Sequence, residues 1–234
     1  MKIIIVNNAK DVGERAASLV AQATKERPNL ILGLATGKTM IPFYRGLIKL
    51  YRKKKVSFTE VKSFNLDEYI GLKSRDKGSL RYFMEKNFFS KVDFKKENVH
   101  FLDGRAKNKK RECENYERQI KKSRIGLQIL GIGRNGHIGF NEPGSSFKSK
   151  TREVFLSEST RRKKIPRKAL TMGISNIMNT KEIFLLASGR EKAEIIHRVL
   201  HGMISEDVPA SVLQKHRNVV FILDKKAARQ LEEG

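Results

Sequence analysis

Seven short apolar runs recur along this chain, separated by segments of helical period or by turn residues, and this alternation limits the fold more than any single motif does. The runs are KIIIV (2–6), NLILGL (29–34), VKSFNL (61–66), NVHFL (98–102), GLQILGI (126–132), EIFLLA (182–187) and NVVFIL (218–223). They are brief and rich in β-branched or aromatic residues, which predicts buried strands. Apolar spacing with capping residues predicts helices over 10–25, 41–53, 79–88, 111–122 and 191–201. Parallel strands need a crossover long enough to hold a helix, so the pattern predicts an α/β fold: a doubly wound, mostly parallel sheet with helices on both faces. No repeat or low-complexity linker interrupts it, and one domain over 1–234 is expected. The stretch 141–169, crowded with Pro, Gly, Ser and basic residues, is expected to be a mobile cover or an insertion.

Ligands of such sheets bind beyond the carboxyl ends of the strands, and three polar stretches fall there. The first, LGLATGKT (32–39), ends like an ATP-binding phosphate loop, but only three residues separate Gly33 from Gly37 where that loop requires four. Thr36, Gly37, Lys38 and Thr39 still lie between a strand and a helix, where backbone N–H groups and the positive helix end suit a phosphate. The second, NLDEY (65–69), sets Asp67 beside Glu68, with side chains pointing in different directions, so one carboxylate is expected to face the site. A partly desolvated carboxylate there suits proton abstraction α to a carbonyl. In the third, GIGRNGHIGFNEPG (131–144), Asn135, His137 and Glu142 lie close enough to form one hydrogen-bonded group. A carboxylate near an imidazole stabilises its charged form and fixes its orientation for moving a proton.

Composition narrows the remaining classes. The N-terminal apolar run is far shorter than a signal peptide needs and no segment reaches membrane-spanning length, which predicts a cytoplasmic protein with no membrane partner. Cys113 is the single cysteine, so no intramolecular disulfide exists, and its surroundings suggest a structural thiol. His197 and His201 sit four apart as in a zinc site, but no third ligand is identifiable and no metal is expected. The net charge of +24 comes from 49 Lys and Arg against 25 Asp and Glu. It draws polyanions non-specifically, yet the cationic clusters are separated and little interleaved with aromatics, so nucleic acid is expected only as a non-specific partner.

Taken together, LGLATGKT, SFNLDEYIGL, YFMEKNFF, LGIGRNGHIGFNEPGSSFKSKTR, ALTMGI, ASGREKA and PASVLQKH resemble the glucosamine-6-phosphate deaminases across nearly the whole chain, with GHIGFNEPG and NLDEY the most specific parts. The resemblance implies a Rossmann-like fold, no cofactor, and conversion of glucosamine 6-phosphate and water to fructose 6-phosphate and ammonia by a hydrolase/isomerase of amino-sugar metabolism. It implies that Asp67 moves the C2 proton to C1, and that His137, held by Asn135 and Glu142, assists ring opening. Thr36, Gly37, Lys38, Thr39 and Lys192 are implied to hold the sugar phosphate. The chain departs from the family in three places. Asn135 stands where some members carry Asp, and Lys38 stands where a small residue is usual. After Thr160, a lid segment with a phosphate-clamping arginine is much shortened, leaving Arg161 or Arg162 as substitutes. The short C-terminal region implies a monomer or small homo-oligomer. Two alternatives stay open: a 6-phosphogluconolactonase-like hydrolase, or a non-catalytic protein that binds sugar phosphates or polyanions.

Overall fold

The computed structural model describes residues 1–158, 160 and 166–231; the substitutes Arg161 and Arg162 lie outside the described residues. In chain order the strands are β1 (Lys2–Val6), β2 (Ile31–Leu34), β3 (Lys62–Asn65), β4 (Asp67–Tyr69), β5 (Val99–His100), β6 (Leu127–Leu130), β7 (Arg152–Phe155), β8 (Lys168–Thr171), β9 (Ile183–Ala187) and β10 (Val219–Asp224). The helices are α1 (Ala9–Glu26), α2 (Met40–Arg52), α3 (Leu80–Asn87), α4 (Lys109–Ser123), α5 (Ile174–Met178) and α6 (Ala193–His201). Seven strands pair in parallel in the order β1-β10-β9-β6-β2-β3-β5. Each of the seven lies in one of the apolar runs apart from Asp224, one residue beyond the last.

The chain steps from β2 through β3 to β5 at one edge, then returns to the other side of β2 and steps outward through β6 and β9 to β10. Right-handed crossovers therefore place α1 and α2 on one face and α4 and α6 on the other. The reversal opens a crevice between the carboxyl ends of β2 and β6, the place where such sheets take ligands. Central strands buried on both faces are mostly apolar, as Leu32, Leu34, Leu127, Ile129, Leu185 and Phe221 show, although Gln128 of β6 is buried too.

A second, three-stranded antiparallel sheet, β4-β8-β7, stands against the crevice. It takes in a small part of the stretch expected to be a cover or insertion: Arg152–Phe155 pairs with Lys168–Thr171, and the latter with Asp67–Tyr69. The chain passes from one sheet to the other at Leu66: its N–H donates to the Leu34 carbonyl at 3.1 Å, while its carbonyl accepts from Met172 N–H at 2.7 Å.

The pleat of β4 sends Asp67 and Glu68 to opposite faces. Glu68 is buried and fully engaged. Its oxygens accept from the N–H groups of Tyr69 at 2.8 Å, Leu80 at 2.9 Å and Arg81 at 2.9 Å, and from Ser79 Oγ at 2.8 Å. The start of α3, where four N–H groups lack helical acceptors, is thus tied to β4 by a carboxylate that also complements the helix dipole. Glu68→Ala should lower the free energy of unfolding by about 3 kcal/mol, since it strands several buried donors at once. Urea denaturation measures this, and an unchanged midpoint would contradict the assignment.

Candidate active site

The first wall of the crevice is the turn from β2 into α2. Gly37 has φ +110°, a left-handed value that L side chains resist, and no atom lies within 4 Å of where a Cβ would stand. Met40 and Ile41 N–H donate to the Gly37 and Lys38 carbonyls at 3.1 and 3.2 Å. Among the described residues the N–H groups of Thr36, Gly37, Lys38 and Thr39 have no protein acceptor, and the Thr39 side chain makes no capping bond. These free donors and the positive end of a 13-residue helix form an anion cradle, with Lys38 exposed beside it. Tyr44 of α2 fixes the turn by donating to the Ala35 carbonyl at 2.5 Å.

Asp67 enters from the β3–β4 junction. Only 6% of it is exposed, and Oδ1 has no hydrogen-bond partner among the described residues. Burial, and next the neighbouring Glu68 charge, push its carboxyl up to about 8. The Tyr44 and Tyr116 hydroxyls, held neutral by burial and then by the Asp67 charge, give their protons to the Ala35 and Asn65 carbonyls instead. The carboxylate is consequently a buried base with a free lone pair. Gly139 passes beside it: a Cβ there would be 3.7 Å from Asp67 Oδ2 and 3.1 Å from Thr171 Oγ1.

The loop after β6 carries the imidazole. Asn135 Oδ1 lies 2.8 Å from His137 Nδ1, and Asn135 Nδ2 donates to Glu142 Oε2 at 2.7 Å. Because an amide oxygen only accepts, this arrangement puts the proton on Nδ1 and leaves the Nε2 lone pair available. Glu142 Oε2 stands 3.6 Å from Nδ1, an ion-pair distance once the ring is charged. Burial works to raise the Glu142 carboxyl, but hydrogen bonds from His137 and Thr160, the His137 charge and the Asn135 amide outweigh it and hold it at about 2. The ring lies against the backbone of Gly133, where a Cβ would come within 2.3 Å of it; no larger residue fits.

The crevice therefore gathers the residues singled out in the sequence. Asn135, His137 and Glu142 form one group, and Gly139, two residues past His137, reaches Asp67. The start of α2 meets the end of β6, where a Cβ on Gly131 would be 3.4 Å from Met40 Cε. Lys192 Nζ donates to the Ile132 carbonyl at 2.7 Å, so this cation is held on the same loop; burial, before any neighbouring charge, lowers its pKa. Thr160, which sequence reasoning did not pick out for the site, brings Oγ1 to 3.3 Å from His137 Nδ1. Elsewhere, Cys113 is buried and its thiol is pushed up to about 11, first by burial and then by nearby carboxylates. His197 and His201 have ring centroids 5.1 Å apart, but no group of three His, Cys, Asp or Glu among the described residues suits a metal. No helix among the described residues is long and apolar enough to cross a membrane.

Residues 6–222 match the family model described as glucosamine-6-phosphate isomerases/6-phosphogluconolactonase. A glucosamine-6-phosphate deaminase of Thermoanaerobacter sp. (strain X514) is 47% identical, the alignment covering 97% of this chain and 94% of that one. It runs over 238 positions, more than the 234 residues here, so the relative carries residues this chain lacks. A solved structure described as a monomeric glucosamine-6-phosphate deaminase superposes with a TM-score of 0.95 at 43% identity, covering 98% of this chain and 99% of that one. The 6-phosphogluconolactonase of Trypanosoma brucei shares the fold, with a TM-score of 0.82 at 19% identity over 98% of each chain.

An acid whose folded pKa is raised makes the native state bind more protons than the unfolded chain, so it costs stability as pH rises. For Asp67 the window runs from the ordinary carboxylate value of 3.8 to about 8. Asp67→Asn should therefore raise the melting temperature above pH 8, with the gain shrinking towards pH 4. Melting curves across that range test this, and a pH-independent difference would contradict it.

Proposed function

The chain belongs to the glucosamine-6-phosphate isomerase/6-phosphogluconolactonase family, and we propose that it is a glucosamine-6-phosphate deaminase, turning glucosamine 6-phosphate and water into fructose 6-phosphate and ammonia. The observation that carries this reading is the buried, unpartnered Asp67 facing the loop of an imidazole whose tautomer is set. Deaminase relatives at 43–47% identity support it over the lactonase, whose likeness at 19% is one of fold. Hydrolysis of a lactone also gives a buried carbon-acid base no task.

The cradle of Thr36, Gly37, Lys38 and Thr39, with Lys192, holds the substrate phosphate. His137 Nε2 takes the proton of the C1 hydroxyl and returns it to the ring oxygen, which opens the ring to the aldehyde. Glu142 steadies the imidazolium formed in between, and Asn135 keeps the ring in position. Asp67, when ionised, removes the C2 proton, made acidic by the adjacent carbonyl, and delivers it to C1. The carbonyl oxygen gains a proton, the amino nitrogen gives one up, and C2 is left doubly bonded to nitrogen. Water then adds to C2, the C–N bond breaks and ammonia leaves, so the sequence is an isomerisation closed by a hydrolytic step. A carboxyl near 8 is a far stronger base than an ordinary one and is still partly ionised at neutral pH. One domain over 1–234 carries this chemistry, as a monomer or small homo-oligomer; the monomeric relative supports that reading.

Purified protein should release ammonia from glucosamine 6-phosphate and leave the N-acetylated sugar unconsumed. Asp67→Asn should lose roughly 10²–10⁴-fold in kcat, while its melting temperature still rises with the sugar phosphate. A wild-type protein that is stabilised by the sugar phosphate yet releases no ammonia would be a binding protein instead.

A further inference from the structure

Across β4 from Asp67, on the face to which the pleat sends Glu68, lies a cavity of about 420 Å³. It is walled by the loop leading into α3, by the first turn of that helix and by the loop after β5, which the Gly71 N–H joins to the first loop through the Gly104 carbonyl at 3.0 Å. Four cations line it: Lys73, Arg75, Arg81 and Arg105. Among the described residues none of the four is in an ion pair, although Arg81 lies 5.4 Å over the Phe101 ring. The acids close by are committed to backbone. Glu68 is consumed by the start of α3, Asp103 accepts the Arg105 N–H at 2.8 Å, and Asp76 accepts the Lys73 N–H at 2.7 Å.

Glu68 and Asp103 stand on the same wall, so the four exposed cations outnumber the carboxylates by two, and this surplus attracts a small anion of more than one charge. Leu72, Phe101 and Leu102 give the wall an apolar part, and the volume falls within the range of metabolite pockets. The geometry points to a second anion site, separate from the β2–α2 cradle, that takes a small phosphorylated metabolite with more than one negative charge: its phosphates lie between the cations and its organic body against Leu72 and Phe101. A concave, partly apolar chamber suits a compact molecule better than a nucleic acid, which requires a charged stripe along the surface.

Inorganic pyrophosphate is a suitable probe, titrated calorimetrically into the full chain at fixed ionic strength. The Lys73→Ser/Arg105→Ser double variant should weaken one pyrophosphate association by at least about tenfold. Both side chains are exposed, so its melting temperature without pyrophosphate should match the wild type, and so should kcat/KM for glucosamine 6-phosphate. Three results would overturn the proposal: equal pyrophosphate binding by both proteins or none by the wild type, a loss mirrored in the Michaelis constant for the sugar phosphate, or a short single-stranded oligonucleotide binding where pyrophosphate does not.

Discussion

Two carboxylates adjacent in sequence cannot both be buried on one face without severe repulsion, and the β4 pleat resolves this by giving them opposite surroundings. Glu68 receives four donors and becomes part of the frame, holding α3 to the strand. Asp67 receives none on Oδ1 and is left as a base of unusual strength. The frame is what makes the base tolerable. A buried, unsatisfied carboxylate destabilises the fold, and the surrounding parallel core, with Phe64, Leu34 and Ile129 buried, offsets it.

The imidazole group works through a different balance. An Asp at position 135 would compete with Glu142 for the ring; the amide instead donates to Glu142 and accepts from Nδ1, so one neutral side chain connects the other two. A charge on His137, as the proposed reaction requires, would be met at 3.6 Å by Glu142, a carboxylate kept ionised by its own hydrogen bonds. In the proposed reaction the start of α2 would hold the substrate phosphate by main-chain donors, whose positions do not depend on flexible side chains.

Much of this was legible in the sequence for a physical reason. Parallel strands buried on both faces are mostly apolar, so the runs exposed the main sheet, and β1 has the bounds its run implies. Asn135, His137 and Glu142 are seven residues apart at most, and short spacing announces a local group. The small sheet was hidden because β4, β7 and β8 are short, and β4 joins it only by pairing with β8, 100 to 104 residues on, as in Asp67 with Thr171. The role of Glu68 was hidden for the same reason: its donors Ser79, Leu80 and Arg81 lie 11 to 13 residues on. Thr160 reaches His137 only once β7 and β8 have brought the chain back to the crevice.

The proposed chemistry depends on the ionisation of one side chain. Carboxyl-carbon NMR of protein labelled at aspartate, with the Asp67 resonance assigned by its loss in Asp67→Asn, reports that ionisation directly. A buried, unpartnered Asp67 should show a midpoint near 8 for this resonance. Titration at the ordinary carboxylate value of about 4 would show that Asp67 is solvated or paired, and would remove it as the base that the rest of the site is built around.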